Sequence, residues 1–143
     1  MDNTTLKIRD IRKMLDNKEI SSVELTKEYL NRIKNIDAKL ESYITVTEDK
    51  ALNQAEQAQK IIDSGNAKDL TGIPLAIKDN ICTKNIRTTC ASKMLENFVP
   101  IYDAFVISKL KEKGMIILSC SRDILVISFL NSLIRNWKNT ASM

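Results

Sequence analysis

Two short apolar runs, Leu75-Ala76-Ile77 and Met115-Ile116-Ile117-Leu118, bracket a stretch with room for one amphipathic helix. No other feature of the chain constrains its fold as strongly. Strands buried on both faces read as continuous apolar runs rather than as an alternation, which is the pattern of a parallel sheet covered by helices. Strand, helix and strand in this order form a parallel crossover unit, and such connections are right-handed. The crossover helix carries Val106, Ile107 and Leu110 at helical spacing, Asp103 stands where an N-cap is wanted, and Gly114 closes it. An α/β class follows.

Upstream of this unit the periodicity is helical. Leu6, Ile8, Ile11, Met14 and Leu15 recur on one face and predict a helix that ends near Asp16 and Asn17. Ser21-Ser22-Val23-Glu24 is a capping-box pattern, in which the Ser21 hydroxyl accepts from the Glu24 amide and the Glu24 carboxylate accepts from the Ser21 amide. The stripe of the helix it opens is Leu25, Tyr29, Leu30, Ile33 and Ile36. Tyr43-Ile44-Thr45-Val46-Thr47, β-branched and aromatic, reads as a strand. A third helix is predicted over residues 48–64 with Leu52, Ala55, Ala58, Ile61 and Ile62 inward, and Gly65 sits where a left-handed cap is needed.

Composition excludes several classes. With 43% hydrophobic and 28% charged residues, the 143-residue chain is an ordinary globular sequence rather than a disordered or disulfide-dense one. Its net charge of +4 comes from 22 basic residues interleaved with 18 acidic ones, so the charges read as solvated helix faces. Aromatics are only 5%, and no basic cluster interleaved with them offers stacking platforms for nucleic acid. Cys82, Cys90 and Cys120 fit no metal-ligand spacing, and the chain has no histidine; no metal site is expected, and the thiols read as free. The first ten residues lack the basic start and apolar stretch of a signal peptide, and no apolar run approaches the roughly 20 residues that span a bilayer. A cytoplasmic protein with no membrane partner is expected.

Chemistry concentrates where the strand Leu75-Ala76-Ile77 runs into Lys78-Asp79-Asn80. Three stretches together resemble the amidase-signature family. They are Glu19-Ile20-Ser21-Ser22-Val23-Glu24-Leu25-Thr26, then Leu70-Thr71-Gly72-Ile73-Pro74-Leu75-Ala76-Ile77-Lys78-Asp79-Asn80, and finally Arg87-Thr88-Thr89-Cys90-Ala91-Ser92-Lys93-Met94-Leu95. The second contains the family's lysine motif, a Lys-Asp pair ending an apolar strand after Gly-Ile-Pro. The third, with Thr-Thr-Cys-Ala-Ser, is similar to the family's glutamyl-tRNA(Gln) amidotransferase A-subunit branch. Asn85 stands where the family often has glycine, and Phe105 is larger than its usual residue.

The resemblance implies the N-terminal part of the amidase-signature fold, helices packed on a mixed central sheet, incomplete in this chain. It also implies a serine amidase with a Ser, cis-Ser, Lys triad. Lys78 matches the triad lysine, which accepts a proton through the bridging serine. That role asks for an amine that is uncharged when it accepts, and burial favours the uncharged form. Without the motif, a lysine ending an apolar strand would ordinarily snorkel its ammonium into water. Asp79 and Asn80 are minor candidates for holding backbone near the site, since after a strand such residues ordinarily form a turn. Cys82 and Cys90 have no neighbouring base and are expected to pack. The branch further implies glutamine as the small-molecule substrate, other amidotransferase subunits as partners, tRNA met only through the complex, and ATP used by the complex with no cofactor bound by this chain.

The family's catalytic serines lie in a glycine- and serine-rich loop, whereas no glycine follows Gly114 here. Ser119, Ser121, Ser128, Ser132 and Ser142 lack flanking glycines, so none is matched to either serine. The chain therefore divides into residues 1–118, resembling an amidase, and residues 119–143, a divergent apolar tail. A frameshifted or truncated reading frame explains the tail; the competing reading is a genuine tail in a small non-catalytic interaction module. The two apolar strands, interior in the family's large sheet, are expected to lack most of their neighbours, with exposed edges and self-association as the consequence.

Overall fold

The fold comes from a computed structural model, which describes residues 7–122. The capping box forms as the pattern predicts: Ser21 accepts from the Glu24 amide at 3.1 Å and its own amide donates to the Glu24 carboxylate at 2.9 Å. It opens α2 (Ser22–Leu40), which follows α1 (Ile8–Asp16) and precedes β1 (Tyr43–Val46) and α3 (Glu48–Asp63). Hydrogen bonds from Ser21, the backbone one first, hold the Glu24 carboxyl below its usual range. After α3 come β2 (Pro74–Lys78), a 3-10 turn (Lys93–Leu95), α4 (Phe105–Glu112) and β3 (Ile116–Ser121). No described helix is long and apolar enough to cross a membrane.

α2 buries Leu25, Tyr29, Leu30 and Ile33 as the stripe predicts, but Ile36 is exposed. α3 turns a slightly different face inward. Its buried residues are Ala51, Ala55, Ala58 and Ile62, while Ile61 is 40% exposed. Three of the four are alanines, and the small side chains let the helix backbone approach α2 and β3. Gly65 (φ +74) closes α3 as expected, with its amide bonded to the Ile62 carbonyl at 3.0 Å and the Asn66 amide to the Ile61 carbonyl at 3.2 Å. This is the paired bonding of a glycine-terminated helix.

The sheet has three strands in the order β1-β3-β2. β2 and β3 are parallel, as the crossover pattern requires. The expectation that both lack neighbours is corrected at β3, which is central: β1 pairs with its other side in antiparallel fashion. All residues of β3 are buried. The strand also runs on through Ser121, past the boundary placed at Leu118, while the apolar stretch over residues 124–137 lies outside the described residues.

A register shift at Leu75 and Ala76 places Ile117 opposite Leu75 and Ser119 opposite Ala76, so Leu118 is the extra residue of a bulge. Bulges leave backbone groups off the ladder. Side chains around the start of α3 take them up: Gln54 Oε1 accepts from the Ile117 amide at 3.0 Å, and the Thr47 hydroxyl donates to the Ile117 and Leu118 carbonyls. Thr47 precedes α3 but its side chain does not cap it, because the hydroxyl is committed to β3.

Asp103 is likewise not the N-cap of α4, which begins after Ala104 without a side-chain cap. Its carboxylate accepts instead from the Lys84 amide at 2.7 Å and from Lys111 Nζ at 2.7 Å, so it pins the loop after β2 to α4. Burial alone would raise the Asp103 carboxyl, but the bonds from Lys111 and Lys84 outweigh it and hold the group below its usual range. Arg12, also paired with Asp16 within α1, docks the helix by donating to the Thr71 carbonyl.

Candidate active site

Lys78 is the last residue of β2 and is half-buried. The parallel ladder sets it opposite Ser121, the last residue of β3, so both strands deliver their C-terminal ends to one edge of the sheet. In open α/β sheets, ligands bind at the carboxyl ends of the strands. The chain then turns at once: the Ile81 amide donates to the Lys78 carbonyl at 3.0 Å, which forms the turn expected of Asp79 and Asn80.

Asn80 is exposed, whereas Asp79 is only 2% exposed and does more than turn the chain. Its carboxylate accepts from the Thr89 amide at both oxygens, 3.0 Å each, from the Thr89 hydroxyl, and from the Ala91 amide at 3.2 Å. Its carbonyl accepts from the Cys90 amide at 2.9 Å, and its own amide donates to the Ser121 carbonyl at 2.8 Å. Sequence reasoning undervalued this residue. The donors, Thr89 and the Ala91 amide, lie within the downstream Thr-Thr-Cys-Ala stretch, but nothing local tells which carboxylate those donors will meet.

The turn that Asp79 holds is unusual, since Cys90 and Ala91 both have φ of +53. Cys90 is exposed, not packed as expected, and Cys82 is half-buried with its thiol hydrogen-bonded to Tyr102, which pushes that phenol up. Asn85, noted as standing in place of glycine, has φ +61. Asparagine tolerates the left-handed region better than most residues, which accounts for the exchange.

Ser119 and Ser121 lie on β3 and are fully buried. Between them, the Cys120 thiol is pushed up to about 11, first by burial and then by the charge of Asp79. Among the described residues no cluster of acidic or thiol side chains is placed to hold a metal ion. A separate open cleft of about 400 Å³, lined by Lys50, Asn53, Gln54, Asn85 and Lys111 among others, does not include Lys78.

The chain that places this lysine at the end of β2, with a buried aspartate beside it, is similar to known proteins. The amidase family model matches residues 24–121. The chain belongs to the amidase family. It is 59% identical over 118 residues to the A subunit of the glutamyl-tRNA(Gln) amidotransferase of Ruminiclostridium cellulolyticum, covering 82% of this chain and 24% of that protein. To the protein of the same name from Thermoanaerobacter pseudethanolicus it is 50% identical over 121 residues, covering 85% and 25%. Among solved structures, the peptide amidase of Stenotrophomonas maltophilia superposes with a TM-score of 0.79 at 29% identity over 84% of this chain and 25% of that one. This amidase chain thus spans about a quarter of the length of the curated relatives it matches. The fold expected from the resemblance, helices with a mixed sheet, is the fold found.

Proposed function

We propose that this chain supplies the lysine-bearing part of the A subunit of a glutamyl-tRNA(Gln) amidotransferase, and that Lys78 is the proton acceptor of its amidase step. The observation that carries the reading is the placement of Lys78 at the C-terminal end of β2, parallel to the central strand β3, within a region 59% identical to a protein of that name. In the full assembly this protein hydrolyses glutamine, and the ammonia amidates glutamyl-tRNA(Gln) on partner subunits that use ATP. Lys78 takes the nucleophile's proton through a bridging serine. Held at a strand end, its amine keeps a fixed approach to that serine, which is what proton transfer requires. The setting is cytoplasmic, and tRNA is met through the complex.

Neither Ser119 nor Ser121 serves as nucleophile in this reading. Ser119 lies within β3 and Ser121 ends it, both without glycine neighbours, so they lack the inward-turned amides that stabilise an oxyanion. The isolated chain therefore releases no ammonia from glutamine above background. Measurable turnover that disappears in Lys78→Ala would overturn this part of the reading.

A second reading, a non-catalytic interaction module, draws on exposed apolar side chains: Met94 is 95% exposed, Ile101 85% and Phe105 78%. Exposed apolar surface of this kind marks contact sites. The genomic sequence decides between the two. Amidase-like codons continuing in another frame after codon 118 support the first reading, and unrelated sequence favours the second.

A further inference from the structure

We infer that Asp79 is a positioning residue, one that locks the turn at residues 89–91 to the strand end carrying Lys78 so that amine and turn form one preset wall of the amide-hydrolysing site. The inference rests on the reading of Lys78 as proton acceptor and adds a residue to it. An aspartate that only shaped a turn would stand in solvent, as Asn80 does. Asp79 is instead buried, and it spends both carboxylate oxygens, its carbonyl and its amide on joining three segments. Those segments are the end of β2, the end of β3 through Ser121, and the turn through Thr89, Cys90 and Ala91.

The conformation of that turn shows why a lock is needed. Two consecutive residues with side chains, Cys90 and Ala91, adopt the left-handed region, which L-residues disfavour and which persists only where surrounding bonds enforce it. The enforcing bonds come from Asp79: the Thr89 and Ala91 amides on its carboxylate flank the Cys90 amide on its carbonyl. Charge-assisted bonds of this type are the stronger ones. Because Asp79 follows Lys78 directly, whatever fixes the Asp79 backbone fixes the Cα from which the amine projects.

The test is made on the full chain by NMR, comparing wild type with Asp79→Ala, Asp79→Asn and Thr89→Val. Two quantities are read: amide exchange at Thr89 and Ala91 against exchange in α2, and the side-chain resonances of Lys78. In Asp79→Ala, exchange at Thr89 and Ala91 rises about tenfold or more, the size expected for lost bonds to a charged acceptor. Exchange at Leu25 and Tyr29 stays near wild type, and the Lys78 side-chain signals collapse toward those of a free lysine. Asp79→Asn restores protection at Thr89 in part, but not at Ala91, because the amide group replaces one acceptor with a donor. Thr89→Val, which keeps the fold's shape and removes one donor, shows the same effects in weaker form and serves if Asp79→Ala does not fold. Unchanged exchange at the turn would overturn the lock. A uniform rise that includes α2 would make Asp79 a general stabiliser, and a loosened turn with unchanged Lys78 signals would remove its positioning role. None of these readouts depends on turnover, so their failure is distinct from a failure of the Lys78 reading.

Discussion

Ser119 stands opposite Ala76 across the parallel ladder, and its hydroxyl is buried with no hydrogen-bond partner among the described residues. A buried hydroxyl without a partner costs its desolvation and returns nothing. Replacing it with the side chain found across the ladder removes that cost without opening a large space. Ser119→Ala is therefore stabilising, by about 1 kcal/mol. Urea unfolding checks this, and a midpoint that falls would mean the hydroxyl has an acceptor.

Gly72 has φ +80 and lies against α2, where a Cβ would come within 2.9 Å of the Ser22 hydroxyl oxygen and 3.1 Å of Ile62 Cδ1. Its amide also donates to the Gly114 carbonyl at 2.9 Å, which ties the approach to β2 to the approach to β3. Gly72→Ala meets both backbone strain and a close contact, and destabilises by about 1–3 kcal/mol. Gly65→Ala has the same left-handed strain but open space around it, so it costs less. Equal losses in a thermal melt of the two variants would contradict this ordering.

The thiols differ in reactivity and in what they do to stability at high pH. Cys90 is exposed and reacts first with a thiol reagent; Cys120 is buried and does not react in the folded protein. Folding raises the Cys120 thiol from 9.0 to about 11, chiefly by burial. It likewise raises the Tyr43 phenol from 10.0 to about 12, by burial and then by Asp37. A group raised on folding contributes stability that is fully present below its unfolded value and is lost as pH rises through the folded value. Stability therefore declines between about pH 9 and 12, and Cys120→Ala flattens the early part of that decline. A flat wild-type profile over this window would refute the assignment.

Much of the local structure was legible because its causes are local. The Ser21 box, the Gly65 cap and the turn after Lys78 each need only residues a few positions apart. The parallel pairing of β2 and β3 was legible because two apolar runs around a helix allow little else. What failed depended on partners distant in sequence. Asp103 has the right identity for a cap but stands one residue before the N-cap Ala104, and its carboxylate is bonded to Lys84 and Lys111. The antiparallel pairing of β1 with β3 joins Tyr43 to Ser121, and no pattern in either run announces it. The inward face of α3 favoured Ala51 over Ile61 because close helix packing selects small side chains, which a count of apolar residues undervalues. At the site, Lys78 was found from its motif, while Asp79 was undervalued because its donors lie ten residues on, across a turn whose shape it dictates itself.

The role of Lys78 is put to the test in a chimera, where residues 7–122 of this chain replace the corresponding part of the Ruminiclostridium cellulolyticum protein, which is 59% identical over this region. Ammonia release from glutamine is measured for the chimera and for its Lys78→Ala variant, with circular dichroism confirming that both are folded. The chimera is expected to hydrolyse glutamine, and Lys78→Ala to lower kcat by at least about a hundredfold, the contribution of a positioned general base. A folded chimera without activity, or a Lys78→Ala variant that keeps it, would rule out Lys78 as the proton acceptor.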